Sequence, residues 1–357
     1  MAGKLNLMQL YCVTKQQNKE GWIMADMDAE LQADAAPKSG YKPPFAGVPL
    51  STLVPYFAWP PRPLSVIRFF VGWPSVLFPY MALFIAIAYV QWKFLLPPMS
   101  AMKHFSADWI ALLMFENAVI LTVFASFFHV LLYVRKSQGL EYKFRASWDE
   151  PNNNYLFGNK LWNDITYSVG SGVIFWTAWE AVTFWLYANN RIAELNVAEH
   201  PVYSAVLFFL AIFWESLHFD VIHRLLHNKW LYRHAHYVHH KSTSPGPWSG
   251  MAMHPLEHFI FFSGVAIAWI VPMSPLHAMF ILFWKSLSPV FSHSGFAKVK
   301  MGPLGEVPSG HYFHELHHNY FNVNFSGDLI PFDRLFGTFC DGTPESLRAA
   351  RRRMRNT

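Results

Sequence analysis

Long apolar stretches, separated by short polar ones, dominate the chain after its first 65 residues. Residues 69–92 contain no charged side chain across 24 positions, which is enough for one helix to cross a bilayer. The other three candidate spans are residues 109–134, 165–188 and 201–214. The second and third carry single acidic residues, Glu116 and Glu180, and the fourth continues helically through Glu215 towards a run of histidines. The pattern therefore predicts about four transmembrane helices.

A fifth uncharged stretch, residues 259–284, is interrupted by Pro272 and Pro275. Each half is too short to cross a bilayer alone, so the stretch forms either a re-entrant hairpin or one kinked span. Basic residues follow the second and fourth spans and fill the C-terminal tail. With four spans and a hairpin, all these basic stretches lie on one side, which the positive-inside rule assigns to the cytosol.

Composition supports this architecture. The 357 residues are 53% hydrophobic and only 14% charged, whereas about a quarter of a soluble domain is charged. We therefore exclude a nucleic-acid partner and a disordered chain, and we predict an all-α integral membrane protein. Residues 1–65 are expected to form a cytosolic tail with an interfacial collar. Residues 66–357 are expected to form the membrane domain, with its histidine-rich core at 218–340.

Histidine carries the candidate chemistry. Fifteen of the 18 histidines lie between His218 and His318. Eight of them form three sets with helical spacing, which are His223 and His227; His236, His239 and His240; and His314, His317 and His318. Residues three or four apart share a helix face about 5–6 Å from each other, a separation at which two imidazoles can bind one metal ion. The eight residues therefore predict a metal site.

Eight imidazoles exceed the four ligands that close a zinc site, so we expect two metal ions in a cytosolic helical cap. His293, at the end of the hairpin, is a further candidate ligand, as are His254 and His258. His218 is expected to have a supporting role. Metal-bound histidines usually donate their other ring N–H to a carboxylate or carbonyl. The nearby acidic residues that could accept it are Asp220, Glu257, Glu315, Asp328 and Asp333.

A dinuclear site above apolar helices could receive the hydrocarbon part of a lipid from the membrane. Imidazole suits iron, copper and zinc. Unactivated carbon offers nothing to acid–base catalysis, whereas dioxygen activated at two irons can remove a hydrogen atom from it. Hydroxylation or desaturation would follow. We therefore expect two Fe ions and O2, with Zn able to replace Fe in purified protein.

The three sets resemble the histidine boxes of the fatty acid hydroxylase/sterol desaturase superfamily. Asn324 and the segment from Phe332 to Thr338 are also similar to that family. The resemblance implies four membrane helices, a cytosolic cap, two irons, O2 and electrons from a reductase chain. It also makes Asn324 a candidate support for the site. The three-residue gap between His223 and His227 resembles sterol desaturases, sterol methyl oxidases and alkylglycerol monooxygenase, so a sterol-type substrate is slightly favoured over a fatty acyl or alkylglycerol lipid.

No cytochrome b5 domain is recognisable in the sequence. The electron donor is therefore expected to be a separate protein of cytochrome b5 or ferredoxin type with its NAD(P)H reductase. The expected location is the endoplasmic reticulum membrane in a eukaryote or the inner membrane in a bacterium.

Two other classes of protein compete with this interpretation. His314, Glu315 and His318 satisfy the zinc metalloprotease pattern H-E-x-x-H, with Glu315 as general base. That hypothesis leaves the first two histidine sets without a role. A metal transporter would be expected to place its ligands near the bilayer midplane, whereas these histidines follow the spans.

Overall fold

Helices make up most of the described chain. The computed structural model describes residues 41, 43–48, 54–148, 155–327, 329–330 and 332–355. The predicted tail, residues 1–65, lies mostly outside these residues, so its boundary stays a prediction, and Asp328 lies outside them as well. From Pro43 onward the chain forms one compact unit.

The main helices are numbered in chain order. They are α1 (Pro63–Val71), α2 (Leu77–Leu95), α3 (Ala107–Val134), α4 (160–188), α5 (Pro201–Leu226), α6 (229–240), α7 (Pro255–Trp269), α8 (Pro275–Ser292), α9 (Tyr312–Tyr320), α10 (Phe332–Leu335) and α11 (Pro344–Arg355). Strands β1 (Lys298–Lys300) and β2 (Glu306–Pro308) pair antiparallel, with Val299 opposite Val307. Short 3₁₀ turns connect several of these elements.

Among the described residues, three helices (α2, α3 and α5) are long and apolar enough to cross a membrane. Large apolar side chains on their outer faces stay exposed, such as Phe115 on α3 at 67% and Val202 on α5 at 76%. A soluble protein rarely exposes contiguous apolar surface of this kind. The chain is therefore built as a membrane protein.

The first predicted span is wrong in its boundaries. Residues 69–92 do not form one helix, because α1 ends at Val71 and α2 begins only at Leu77. Pro74 lies in the break. Proline lacks the backbone N–H that a helix interior needs and disfavours helical geometry in the residue before it.

The third predicted span is helical but is not one of the three long apolar helices. In α4, Glu180 is buried and accepts a hydrogen bond of 2.8 Å from the amide of Asn117 on α3. Asn163 and Asp164, near the start of α4, are buried as well. These polar residues lower the apolar character of α4, and the count of four spans stays a prediction.

The proline-interrupted stretch forms two helical arms, α7 and α8, with the break at residues 270–274. Ser274 begins α8 with a capping box that it shares with His277. Thirteen of the eighteen α8 residues are buried, and α8 packs against α2, α3, α4 and α5. The two arms agree with the shape of the predicted hairpin, whereas its insertion into a bilayer is still a prediction. His293 follows the last residue of α8 and lies beside the histidine-rich cap formed by α6 and α9.

Candidate metal centre

The predicted ligands assemble into two groups. In each group, one nitrogen from every ring lies within 4.8 Å of the corresponding atoms of the others. The first group, site A, contains His223, His227, His236, His240 and His317. The second group, site B, contains His239, His293, His314 and His318. All eight box histidines and His293 are therefore brought together.

Helical spacing decides which histidines share a group. Each pair four residues apart enters the same group, since His223 and His227 lie in site A and His314 and His318 in site B. The residue at the intermediate spacing goes to the other group. His239 belongs to site B although the other two histidines of its set belong to site A. His317 belongs to site A although the other two histidines of its set belong to site B. The two sites are therefore interleaved, and α6 and α9 each contribute to both.

The ring nitrogens stand at the spacing that a shared ion imposes. In site A the Nε2 atom of His317 lies 3.1 Å from Nε2 of His227 and 3.1 Å from Nε2 of His240. In site B the Nε2 atoms of His293 and His239 are 3.2 Å apart. Metal–nitrogen bonds of about 2.0–2.1 Å place neighbouring ligand nitrogens about 3.0–3.4 Å apart. The spacing in both groups fits metal ligation.

Hydrogen bonds at the other ring nitrogen orient three of the rings in site A. Nδ1–H of His223 donates to the Phe325 carbonyl at 2.6 Å, and Nδ1–H of His317 donates to the Val323 carbonyl at 2.7 Å. Nδ1–H of His236 donates to the Glu257 carboxylate at 2.7 Å. The two backbone carbonyls can only accept, so Nε2 of His223 and Nε2 of His317 each present a lone pair to the centre of the group. Converging lone pairs in a buried place need a cation between them.

A short loop supplies two of these acceptors. The carbonyls of Val323 and Phe325 face the histidines, while the side chain of Asn324 between them points elsewhere. Its amide N–H₂ donates to the Cys340 carbonyl at 2.9 Å, and its Oδ1 accepts from the Cys340 N–H at 2.8 Å. Asp333 accepts from the Phe325 backbone N–H at 3.0 Å. Asn324 and Asp333 thus hold the loop that orients His223 and His317.

Among the supporting residues predicted from the sequence, Glu257 alone contacts a ring of either group directly within the described ranges. Asp220 contacts neighbours of the ligand rings and not the rings themselves. It accepts from Arg224 at 3.0 Å and from the Ser326 hydroxyl at 2.6 Å. The supporting carbonyls of Val323 and Phe325 were not predicted from the sequence. Asn324 and the nearby Asp333 were the sequence signal for that loop.

Burial keeps the imidazoles neutral. It lowers the pKa of His236 to about 3 and that of His239 to about 4. Burial, followed by repulsion from neighbouring rings, also lowers the pKa of His314 and His318. A neutral imidazole is the form that binds a metal, so the cap holds its rings in a ligand-competent state.

The remaining candidate histidines do not join either group. His254 caps the start of α7, where its Nδ1 accepts from the Leu256 N–H at 3.2 Å. His258 contacts the Ser171 hydroxyl at 3.0 Å and the Met251 carbonyl at 3.1 Å. His218 contacts Ser263 and Lys285.

Glu315 does not take the position that a metalloprotease base requires. Its carboxylate accepts from Arg145 Nε at 2.6 Å, and both side chains are largely buried. Arg145 is held further by the side chain of Asn319. Because Glu315 follows His314 by one residue, it projects from a different face of α9 from the metal-facing rings. Its geometry favours a structural ion pair.

A cavity opens beside both groups, towards the apolar helices. Histidines from both sites line it, namely His223, His236, His239, His293 and His314. Its other walls are largely apolar, formed among others by Ile212, Phe219, Ile222, Leu226, Met253, Phe261, Trp284, Phe291 and Leu329. Apolar walls with a few convergent polar groups are typical of a ligand pocket. The cavity suits a hydrocarbon group presented to the histidines.

These features define a class of protein: a helical membrane protein in which two groups of histidines, each able to hold a metal ion, lie beside an apolar cavity. Comparison with known proteins agrees with this class. Residues 208–338 match the family model of fatty acid hydroxylase, a range that includes every histidine of both sites. The match confirms the resemblance inferred from the three boxes.

Similar curated proteins come from two groups. Methylsterol monooxygenase 1 of Gallus gallus is 33% identical over 142 residues, which cover 38% of this chain and 47% of that protein. A very-long-chain aldehyde decarbonylase of Oryza sativa subsp. indica is 35% identical over 145 residues, 38% of this chain and 52% of the relative. The chain thus spans about half the length of the curated relatives it matches. No solved structure matches the chain.

Proposed function

We propose that this protein is a membrane-bound non-haem di-iron oxygenase that uses O2 to hydroxylate or desaturate a lipid. The observation that carries the proposal is the pair of interleaved histidine groups at the wall of an apolar cavity. A hydrocarbon substrate in that cavity would lie against ligands of both sites. A reaction at an unactivated carbon requires the carbon to be this close to the metal ions.

Iron is the metal we propose for both sites. Five imidazoles in site A exceed the four ligands of a closed tetrahedral zinc site, and the reaction needs a metal that exchanges electrons. Two histidine-bound irons would supply O2 activation and removal of a hydrogen atom from carbon. Zinc binds the same ligands and could replace iron in overexpressed protein.

The protein residues orient the ligands and exclude water. Phe325, Val323 and Glu257 fix the ring planes of His223, His317 and His236 through the Nδ1 hydrogen bonds. Such partners raise ligand basicity and hold the geometry of a site. The apolar cavity walls keep the reacting carbon away from solvent.

We further propose that the cap faces the cytosol and that a separate protein delivers the electrons. Arg135 and Lys136 follow the last turn of α3, where the Tyr133 hydroxyl contacts the carbonyl of Ser294, the residue after His293. Basic residues at this end support a cytosolic cap under the positive-inside rule. The donor we propose is of cytochrome b5 or ferredoxin type with its NAD(P)H reductase. The membrane would be the endoplasmic reticulum in a eukaryote or the inner membrane in a bacterium.

A sterol-type lipid is the favoured substrate. The gap between His223 and His227 supports this choice, as does the likeness of residues in this region to methylsterol monooxygenase 1. The likeness to an aldehyde decarbonylase supports a long-chain acyl-derived lipid as the second candidate.

The test combines metal analysis with isotope labelling. Detergent-purified protein should contain about two iron or zinc ions per chain. Membranes that contain the protein, supplied with ¹⁸O2, NADPH and an added reductase system, should yield a lipid that has either gained one ¹⁸O atom or lost two hydrogens by mass spectrometry. His236→Ala should abolish this product and lower the metal content, because a buried ligand of site A is lost.

His234→Ala is the matched control, since His234 lies in the same helical segment but is exposed and outside both groups. It should retain both metals and the labelled product. One zinc per chain together with peptide-bond cleavage would overturn the proposal in favour of a protease. Two metals without any O2-dependent lipid product would also overturn it.

A further inference from the structure

A buried ion pair forms part of the cavity wall, and neither of its residues belongs to site A or site B. Lys285 Nζ on α8 lies 2.7 Å from Glu215 Oε2 on α5, and the two side chains are only 2% and 4% exposed. Both residues line the cavity. Burying two charges in an apolar bundle is costly, and an apolar pair of similar size would often serve stability equally well. A charged residue within an apolar membrane helix is a candidate functional group.

The backbone positions of the ion pair and of the candidate metal ligands are separated by about two helical turns. Glu215 precedes His223 by eight residues on α5, and Lys285 precedes His293 by eight residues on α8. Eight residues of helix rise by about 12 Å. The cavity therefore has histidines at one end and the ion pair at the other, about two helical turns away.

Neighbouring groups hold Lys285 in place. Its ammonium carries only donors, so the contact of 3.1 Å to His218 Nδ1 makes that nitrogen the acceptor. Nε2 of His218 then carries the proton and donates to the Ser263 hydroxyl at 3.0 Å. Ser263 in turn donates to the Ile260 carbonyl at 2.6 Å. Gly264 leaves room for the pair, because an added Cβ would lie 2.3 Å from Lys285 Cε.

Some polar atoms near the ion pair have hydrogen-bonding capacity that the described protein residues do not use. In the part of the chain that the structure describes, Glu215 Oε1 and the Ser216 hydroxyl are buried without a hydrogen-bond partner. Ser216 also lines the cavity. The ammonium of Lys285 has three N–H groups, two of which serve Glu215 and His218. An unsatisfied buried polar atom costs about 1–3 kcal/mol, so a ligand that satisfies these atoms would gain affinity.

We infer that Glu215, Ser216 and Lys285 bind a hydroxyl group of the lipid substrate, about two helical turns from the reacting carbon. This inference rests on the proposed function. A hydroxyl donates to Glu215 and accepts from Lys285 or Ser216. A carboxylate has no proton to donate and is repelled by Glu215, and a carbonyl only accepts.

The distance has a consequence for the position of attack. A carbon directly beside the bound hydroxyl stays near the ion pair, about 12 Å along the helices from the histidines. The oxidised carbon therefore lies several bonds away from the hydroxyl, and the products carry two functional groups that are not vicinal.

Equilibrium binding to the detergent-purified, metal-loaded protein tests the inference. Two matched probe pairs are used: octadecan-1-ol with its methyl ether, and cholesterol with its methyl ether. In at least one pair the alcohol should bind about tenfold more tightly than the ether, as expected for one good buried hydrogen bond. Octadecanoic acid should bind more weakly than octadecan-1-ol.

The double variant E215L/K285M should abolish the preference for the alcohol while both metals stay bound. Removing both charges avoids the unpaired buried charge that either single variant would create. Ser216→Ala, which removes no partnered group, is the milder variant and should reduce the preference a few-fold. The control K298M/E306L removes an ion pair of 3.0 Å on the β1–β2 hairpin and should keep the preference.

Equal binding of alcohol and ether in both probe pairs would overturn the inference. A preference that survives in E215L/K285M, or tighter binding of octadecanoic acid than of the alcohol, would overturn it as well. Failure of the proposed function is distinguishable, because it would appear as missing metal or a missing O2-dependent product in the unaltered protein, whatever its preference for alcohols.

Discussion

Sites A and B differ in how they are built. Site A has five histidines, all from the three boxes, and three of its rings donate to fixed acceptors on a loop and on α7. Site B has four histidines, and its fourth ring, His293, comes from the end of α8. Nδ1 of His293 contacts the Pro289 carbonyl of its own helix at 3.0 Å. Site A therefore takes His223 from the last turn of α5 and the rest of its rings from the residues that follow α5, from α6 and from α9, whereas site B also needs a ring from the end of α8.

The two sites also differ in how many of their rings line the cavity. Three of the four site B rings line it, namely His239, His293 and His314, but only His223 and His236 of the five in site A. Site B thus has fewer protein ligands and more contact with the space for substrate. In metal enzymes, an open coordination position is the place of chemistry, whereas a filled ligand set holds its metal more tightly. We expect site A to be the tighter site and site B the more reactive one.

The largest effect is expected from separating the two sites by mutation. His293→Ala should lower the metal content from about two ions to about one and abolish O2-dependent turnover, because site B loses its ligand from the bundle while site A keeps all five. His317→Ala should abolish turnover too, but the ion that remains should be the one in site B. Metal analysis with a spectroscopic assignment of the remaining ion checks this. Full activity in either variant would refute the site assignment.

A smaller effect is expected from loosening the loop that supports site A. Asp333→Asn weakens the acceptor for the Phe325 N–H and for Arg224. Loss of such support typically lowers metal affinity about 10- to 100-fold, and site A should lose its ion to a chelator first. Asp341→Asn is the control, since Asp341 binds Thr343 and Ser346 away from both sites. Equal loss from both sites in D333N would contradict the proposed difference between them.

The smallest effect on activity is expected at Glu315. Glu315→Gln should keep both metals and leave turnover within a few-fold, because this carboxylate faces Arg145 and not the ions. Breaking a buried ion pair typically costs about 3–5 kcal/mol, so the melting temperature should fall even though the chemistry survives. Metal content, turnover and thermal unfolding are measured together. Complete loss of turnover with both metals retained would restore the protease hypothesis.

Local spacing was enough to predict much of the site. Helical geometry places His223 with His227 and His314 with His318, and a sequence shows such pairs directly. The contribution of His293 was also predicted, from the return of the proline-broken hairpin. The break after Val71 was not predicted, since hydropathy alone does not weigh Pro74 against an otherwise uncharged stretch.

The sequence did not predict which backbone carbonyls support the site or which residue pairs with which across the fold. The carbonyls of Val323 and Phe325 have no side-chain signature, and Glu315 matches the pattern of a catalytic base although its partner is Arg145. Glu215 and Lys285 are 70 residues apart in the chain. Their contact depends on how α5 packs against α8, which no local pattern encodes.

The sequence by itself determined the class of protein and the three histidine sets that supply most of the candidate ligands, because composition and helical periodicity are local properties. Tertiary structure alone decided the division of the ligands into sites of five and four, since His239 and His317 leave their own boxes for the other site. It also decided that an ion pair faces the histidines across the cavity. Both depend on long-range packing, which brings together residues that the chain separates.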